Sequence, residues 1–395
     1  MTENKDLFLR FLAQTSDSPL QLEIEKAEGV YLFGAKGKRY IDLISGISVS
    51  NVGHSHPRVV DAISQQAARY MHLMVYGEYI QYPQVRLASR MAEILPSNLS
   101  NSYFVNSGSE AVEGALKLAK RYTGRSQIVA FKNAYHGGTH GALSVMGNEE
   151  QKRAFRPLLP DIHNVEFNDF DEIQSITEKT ACVIVEPVQA EAGVRVPKVG
   201  FLDALRKRCT EVGALLIFDE IQTGMGRTGE MFAFQKYKVV PDVLLLAKAF
   251  GGGMPLGAFI SSKDIMSCLT KNPILGHITT FGGHPVSCAA SLAAMDILQE
   301  EALVQQVQNK EVLFKEKLAK HPAVREFRSS GLIMALELGS FELVEKTIKS
   351  CLQQGVITDW FLFCNTAVRI APPLVISEEE IDLACEAILS ALDSL

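Results

Sequence analysis

Between residues 102 and 260 of this chain, short apolar segments alternate with longer helical stretches, and that alternation leaves few folds open. The segments are Ser102–Val105, Gln127–Phe131, Ala181–Val185, Ala214–Phe218, Val243–Leu246 and Gly257–Ile260. They are too short for helices, and most are too uniformly apolar for strands with one wet face. Helical patterns such as Glu110–Tyr122 and Phe201–Val212 lie between them. Strand, helix, strand repeated in this way predicts an α/β fold, with a mostly parallel sheet covered on both faces.

The chain ends read differently. Helical segments Pro285–Glu300 and Leu303–His321 precede mixed strands around Leu332–Leu338 and Val368–Ile370. An amphipathic helix follows over Glu378–Leu392, with Ser377 placed to cap it. Near the start, Gly29–Phe33 and Lys38–Leu43 read as a hairpin joined by Gly34-Ala35-Lys36-Gly37. At 395 residues the chain exceeds one ordinary core. The expected division is a large domain over 50–298 and a smaller α+β domain built from both ends, 1–49 and 299–395.

A net charge of −6 argues against nucleic acid as a partner, because phosphate binding wants a basic face. No apolar run reaches the length of a membrane span, and Arg10 within the early apolar stretch spoils a signal-peptide reading. Seven cysteines, an odd number without a C-x-x-C pair, argue against a disulfide framework or a zinc site. No metal is expected, and a reducing cytoplasm fits best.

In an open parallel sheet, ligands bind beyond the carboxyl ends of the strands. Four positions there carry chemistry. Asn106-Ser107-Gly108-Ser109-Glu110 runs from a strand into a helix, exposing backbone N–H groups suited to a phosphate. An ordinary serine-capped turn explains it equally well. Asp219 closes an apolar run and needs a cation or donors; a protonated heterocycle, a structural arginine or a metal would each serve. Lys248 follows a core strand and precedes Gly251-Gly252-Gly253. Most lysines are solvated surface residues, but one desolvated here could attack a carbonyl to form an imine. Tyr135, in Tyr135-His136-Gly137-Gly138, could stack on a flat cofactor or be a half-buried loop aromatic. His136 reads as a loop histidine, without a catalytic role.

Gly224-Met225-Gly226-Arg227-Thr228-Gly229 is a literal G-x-G-x-x-G. Residues 219–223 separate it from the strand, whereas a dinucleotide site needs the motif to turn directly from strand into helix. It is rejected as a nicotinamide site.

A phosphate cradle, a stacking aromatic, an acid for a ring nitrogen and an imine-forming lysine are together what a protein must supply to pyridoxal 5'-phosphate (PLP). The order of motifs then resembles the class III (ornithine/acetylornithine-type) aminotransferases of the fold-type-I PLP enzymes. Besides the hairpin, that order runs through Gly53-His54-Ser55-His56-Pro57, Asn106–Ala111, Glu186-Pro187-Val188-Gln189, Asp219–Gly224 and Thr279–Pro285. The resemblance covers nearly the whole chain. It implies a transaminase that moves an amino group from an amine donor to a 2-oxo acid, with 2-oxoglutarate the expected acceptor. By position, Ser107, Gly108 and Ser109 would hold the cofactor phosphate and Tyr135 would stack on the ring. Asp219 would pair with the ring nitrogen, Gln222 would approach the phenolic oxygen, and Lys248 would carry the cofactor as a Schiff base. Thr280 would reach the phosphate in a neighbouring subunit, making the active unit a homodimer. Arg369 would bind the 2-oxo acid carboxylate, and Glu191 would cover that arginine when an ω-amino substrate is present. One departure stands out: Gly138 occupies the place of an arginine that grips the donor's α-carboxylate. An aminomutase or decarboxylase on the same scaffold is the alternative reading, and a catalytically silent binding protein a more distant one.

Overall fold

The computed structural model describes residues 3–75 and 77–395. A seven-stranded sheet runs through its centre in the order Asn101–Val105, Gly257–Ser261, Val243–Leu246, Leu215–Asp219, Thr180–Val185, Gln127–Phe131, Ile162–Val165. Gly257–Ser261 is antiparallel to both neighbours and the other six strands share one direction. All six strands expected from the apolar runs are present. The seventh, Ile162–Val165, is an edge strand containing His163 and Asn164. Buried only in part, it lacks the continuous apolar pattern that announces the others.

The interior strands are apolar along their middles, with polar residues such as Gln127, Thr180, Asp219 and Ser261 at their ends, because the sheet is covered twice. Val129, Phe131, Val183, Val185, Leu216, Phe218, Leu244 and Leu246 pack on one face, with helix Phe201–Val212. Ile128, Ala130, Cys182, Ile184, Leu215, Ile217, Val243 and Leu245 pack on the other, with helix Gly108–Thr123. Successive residues thus serve opposite cores, as the period of a strand dictates. Each fully buried Val, Leu, Ile or Phe contributes about 1.5–3 kcal/mol relative to exposure. Gly114 lets helix Gly108–Thr123 sit close: a Cβ there would lie 2.3 Å from Phe259 Cε1. That closeness fixes where the helix points its first turn.

The strands Ile24–Glu28, Tyr31–Gly34 and Arg39–Asp42 form an antiparallel meander, the last two being the expected hairpin, turned through Ala35–Gly37. Val356–Ile357, from far along the chain, joins this sheet parallel to Arg39–Asp42. A third sheet, in the order Glu326–Ser329, Met334–Glu337, Cys364–Ile370, Asp359–Phe361, is antiparallel throughout. Helix Glu378–Asp393 packs beside it through the core, and its first turn carries a capping box. Ser377 Oγ accepts from Glu380 N at 3.2 Å while Ser377 N donates to Glu380 Oε2 at 2.8 Å, satisfying two donors at once. Among the described residues, no helix is long and apolar enough to cross a membrane.

Candidate active site

The carboxyl ends of Asn101–Val105, Leu215–Asp219 and Val243–Leu246 open into one cavity of about 360 Å³. Ser107, Gly108, Ser109, Tyr135, Asp219, Gln222 and Lys248 all line it, so the structure unites residues that the sequence scatters over 142 positions (248 − 107 + 1).

One end of the cavity is a helix start. Ser107 Oγ accepts from Glu110 N at 3.2 Å and caps Gly108–Thr123, as the serine-cap reading expects, and Ser107 also lines the cavity. Gly108 and Gly137 make the wall thin. A Cβ on Gly108 would lie 2.8 Å from Ile221 Cδ1, and one on Gly137 would lie 2.1 Å from Ser109 Oγ. Gly138 N donates to Ser109 Oγ at 3.2 Å, tying the loop after Tyr135 to the helix start. The positive end of a 16-residue helix, flanked by two serine hydroxyls, suits an anion.

Across the cavity, Asp219 ends its strand and is held from two sides. Its Oδ2 lies 2.7 Å from His136 Nδ1, and its Oδ1 accepts from Ile221 N at 3.1 Å. The next residue, Glu220, points the opposite way, accepting from the backbone of Ala233 and Phe234. His136 is buried, and its Nε2 has no hydrogen-bond partner. Sequence reasoning set this histidine aside; the only signal available was its place next to Tyr135. Glu186, seen in the sequence only as part of the Glu186-Pro187-Val188-Gln189 motif, was given no role either. Its fully buried carboxyl accepts from Tyr135 N at 2.9 Å and Ala190 N at 3.2 Å. Burial, reinforced by the nearby Asp219 charge, pushes it well above the usual carboxylate range.

Lys248 stands in the cavity wall with a left-handed backbone, φ 51°, a conformation costing a non-glycine residue on the order of 1–3 kcal/mol. Burial lowers its ammonium to about 8, against the opposing pull of Glu191. The glycines after it serve two ends: Gly253 lines the cavity, whereas a Cβ on Gly252 would lie 2.6 Å from Ala290 O in helix Pro285–Glu300.

Gln222 leads from the cavity to a buried ion pair. Its Nε2 donates to Glu191 Oε1 at 2.9 Å, while its Oε1 is buried without a partner. Glu191 takes both terminal nitrogens of Arg369, at 3.0 and 2.8 Å. Burial opposes the charge on Glu191, yet Arg369 outweighs it and holds the carboxyl at about 2. Thr280, by contrast, is exposed and lies outside this cavity. Gly138 is exposed too, and a Cβ there would meet nothing within 4 Å.

The rejected glycine motif is a structural tie. Arg227, fully buried, donates to Leu332 O at 2.9 Å and also to Pro372 O and Asn51 Oδ1. It joins three distant segments.

The cavity fits a flat, anionic heterocycle with an aldehyde. An anion site, an aromatic wall, a carboxylate and a lysine surround it, and His136 Nε2 and Gln222 Oε1 are buried polar atoms still lacking partners. Residues 12–392 match the family described as aminotransferase class-III. The acetylornithine aminotransferase of Methanopyrus kandleri is 40% identical over 367 residues, covering 92% of each chain. A transaminase from the marine bacterium Virgibacillus superposes with a TM-score of 0.93 at 28% identity, over 100% of this chain and 99% of that one. An amine transaminase from an uncultivated Pseudomonas species, solved with PLP bound, superposes with a TM-score of 0.90 at 27% identity, over 98% of both. The chain therefore belongs to the class-III aminotransferases, fold-type-I enzymes whose cofactor is pyridoxal phosphate.

Proposed function

We propose that this enzyme transfers the terminal amino group of an ω-amino donor, of the acetylornithine and ornithine kind or simpler, to 2-oxoglutarate. The observation that carries this reading is the Glu191–Arg369 pair, joined through Gln222 to the cavity that holds Lys248. A buried arginine with a swinging carboxylate partner can present two faces. Covered, it is neutral towards a donor whose near end carries no carboxylate; uncovered, it offers a bidentate fork to the 2-oxo acid. Such a pair suits a two-substrate transfer better than a mutase or a decarboxylase.

The roles are assigned as the family resemblance implies them, and the cavity these residues share supports the assignment. Ser107, Gly108 and Ser109 receive the cofactor's phosphate, Tyr135 covers the ring, and Gln222 approaches its phenolic oxygen. Asp219 holds the proton on the ring nitrogen. When bound, the cofactor supplies an electron sink for the carbon that bears the amine. Lys248 anchors it, and Nζ moves the proton at that carbon. We assign residues 50–298 to the large domain and 1–49 with 299–395 to the small one. The pairing of Val356–Ile357 with Arg39–Asp42 supports that division. Seven cysteines without a disulfide fit a cytoplasmic setting.

Gly138 is the feature that tests the donor. An arginine there would add a carboxylate clamp worth about 1.5–3 kcal/mol, or one to two powers of ten in affinity. Wild type is therefore expected to use ω-amines or β-amino acids at least as well as acetylornithine. Gly138→Arg should shift preference towards acetylornithine and ornithine, into space the structure leaves open. The measurement is kcat/KM over acetylornithine, ornithine, 4-aminobutyrate, lysine, β-amino acids and simple amines, with 2-oxoglutarate as acceptor. A wild-type preference for acetylornithine over every donor lacking an α-carboxylate would overturn the reading.

The homodimer belongs to the same proposal. Thr280 is exposed beside exposed Ile278 and Phe281, which is compatible with its serving a second subunit's phosphate site. Mixing Lys248→Ala and Thr280→Ala subunits should then restore activity, because one site in each heterodimer keeps both residues. Absence of complementation would place both residues in one subunit's site.

A further inference from the structure

Arg369 is held by two carboxylates, not one. Glu191 occupies its terminal nitrogens, and Asp359 Oδ1 lies 2.9 Å from Nε on the other edge. The strand register explains the second acid: Asp359 stands directly across the Asp359–Phe361 and Cys364–Ile370 pair from Arg369. Phe361, two residues on, puts its ring 4.6 Å from the guanidinium, and Trp360 O accepts from a terminal nitrogen at 3.2 Å. The guanidinium is thus oriented by groups other than Asp359. Close as they are, Nε and Oδ1 are not aligned as a hydrogen bond, so Asp359 contributes charge more than direction.

We propose that Asp359 determines how strongly Arg369 grips the carboxylate of the 2-oxo acid: its negative charge loosens that grip, and its protonation tightens it. The proposal rests on Arg369 being the carboxylate site. An incoming carboxylate displaces Glu191 from the fork, but nothing displaces Asp359, which approaches the opposite edge. The incoming carboxylate adds a negative charge to a buried cluster in which Glu191 and Asp359 already face Arg369. The other charge facing Asp359 is Asp42, paired with His54 at 2.8 Å, while Lys248 acts on Glu191 from the cavity side.

Burial already raises Asp359 to about 6, Arg369 opposing and Glu191 and Asp42 adding to the rise. A further negative charge raises it again. Binding is therefore coupled to proton uptake, and affinity for the carboxylate rises as pH falls from 8 towards 6.

The test is calorimetric binding of glutarate, a non-reacting dicarboxylate, to the PLP-loaded enzyme at pH 8 and pH 6, in buffers of different ionisation enthalpy. Wild type should bind roughly three- to tenfold more tightly at pH 6 and take up protons. Asp359→Asn keeps the shape and removes the charge. It should bind at pH 8 with the tighter affinity and lose the pH dependence. Absence of proton uptake by wild type, or an Asp359→Asn variant that keeps the wild-type pH dependence, overturns the proposal without reference to any loss of folding. Arg369→Met separates the two levels. If it leaves glutarate binding intact, Arg369 is not the carboxylate site; if it abolishes binding while Asp359→Asn changes nothing, only the role of Asp359 falls.

Discussion

Lys248→Ala is expected to remove the visible absorbance of cofactor held through a lysine and to cut turnover by about two to four powers of ten. The size follows from the two duties proposed for one Nζ, anchoring the cofactor and moving the proton at the donor carbon. Burial prepares it for both. A solvated lysine is neutral in roughly one molecule in a few thousand at pH 7. Lowered to about 8, Lys248 is neutral in about one in ten, a usable supply of nucleophile. Its left-handed backbone aims the side chain from the end of Val243–Leu246 into the cavity, and alanine would keep the strain while losing the amine. Absorbance spectra, with borohydride reduction and peptide mapping of wild type, check the claim. Colour that persists in the variant and maps to another lysine would refute it.

Asp219→Asn should leave PLP bound and slow the donor half-reaction on the order of a hundredfold to a thousandfold. The asparagine fills the same space, so packing against Ile221 N and His136 changes little. What it removes is the full negative charge that, on the proposed role, keeps a proton on the ring nitrogen. The wild-type carboxylate is fixed in advance by those two neighbours, so it does not reorganise when charge shifts in the cavity. Stopped-flow absorbance with a saturating donor measures the step. Near-normal rates in the variant would reduce Asp219 to a structural residue.

Much of this architecture could be read from the residues because burial on both faces demands uninterrupted apolar runs. Thr180–Val185 and Val243–Leu246 spell out such runs, and the ends of the central strands are where ligands gather. Ile162–Val165 escaped because an edge strand needs only one neighbour and tolerates His163 and Asn164. His136 escaped because a loop histidine looks the same whether its ring meets water or Asp219. Asp359 was invisible for a different reason. Its importance depends on which residue faces it across two strands, and register is a property of the folded sheet rather than of the local string. The glycines after Lys248 show a mixed outcome. Gly253 lines the cavity with open space beside it, as room for a bulky group would require, but Gly252 is there for a helix.

The single reversed strand has a temporal consequence. Asn101–Val105 leads into the turn at Ser107–Ser109, yet its one neighbour in the sheet is Gly257–Ser261. On a ribosome adding about 5–20 residues per second, the partner follows the first strand by roughly eight to thirty seconds. Until then the strand leading into Ser107–Ser109 has no partner in the sheet, and Lys248 has only just been added. The cofactor therefore finds no complete pocket on a nascent chain shorter than about two-thirds of the whole. Its binding energy can stabilise only the nearly finished protein, which leaves the earlier steps of folding to the parallel strands alone.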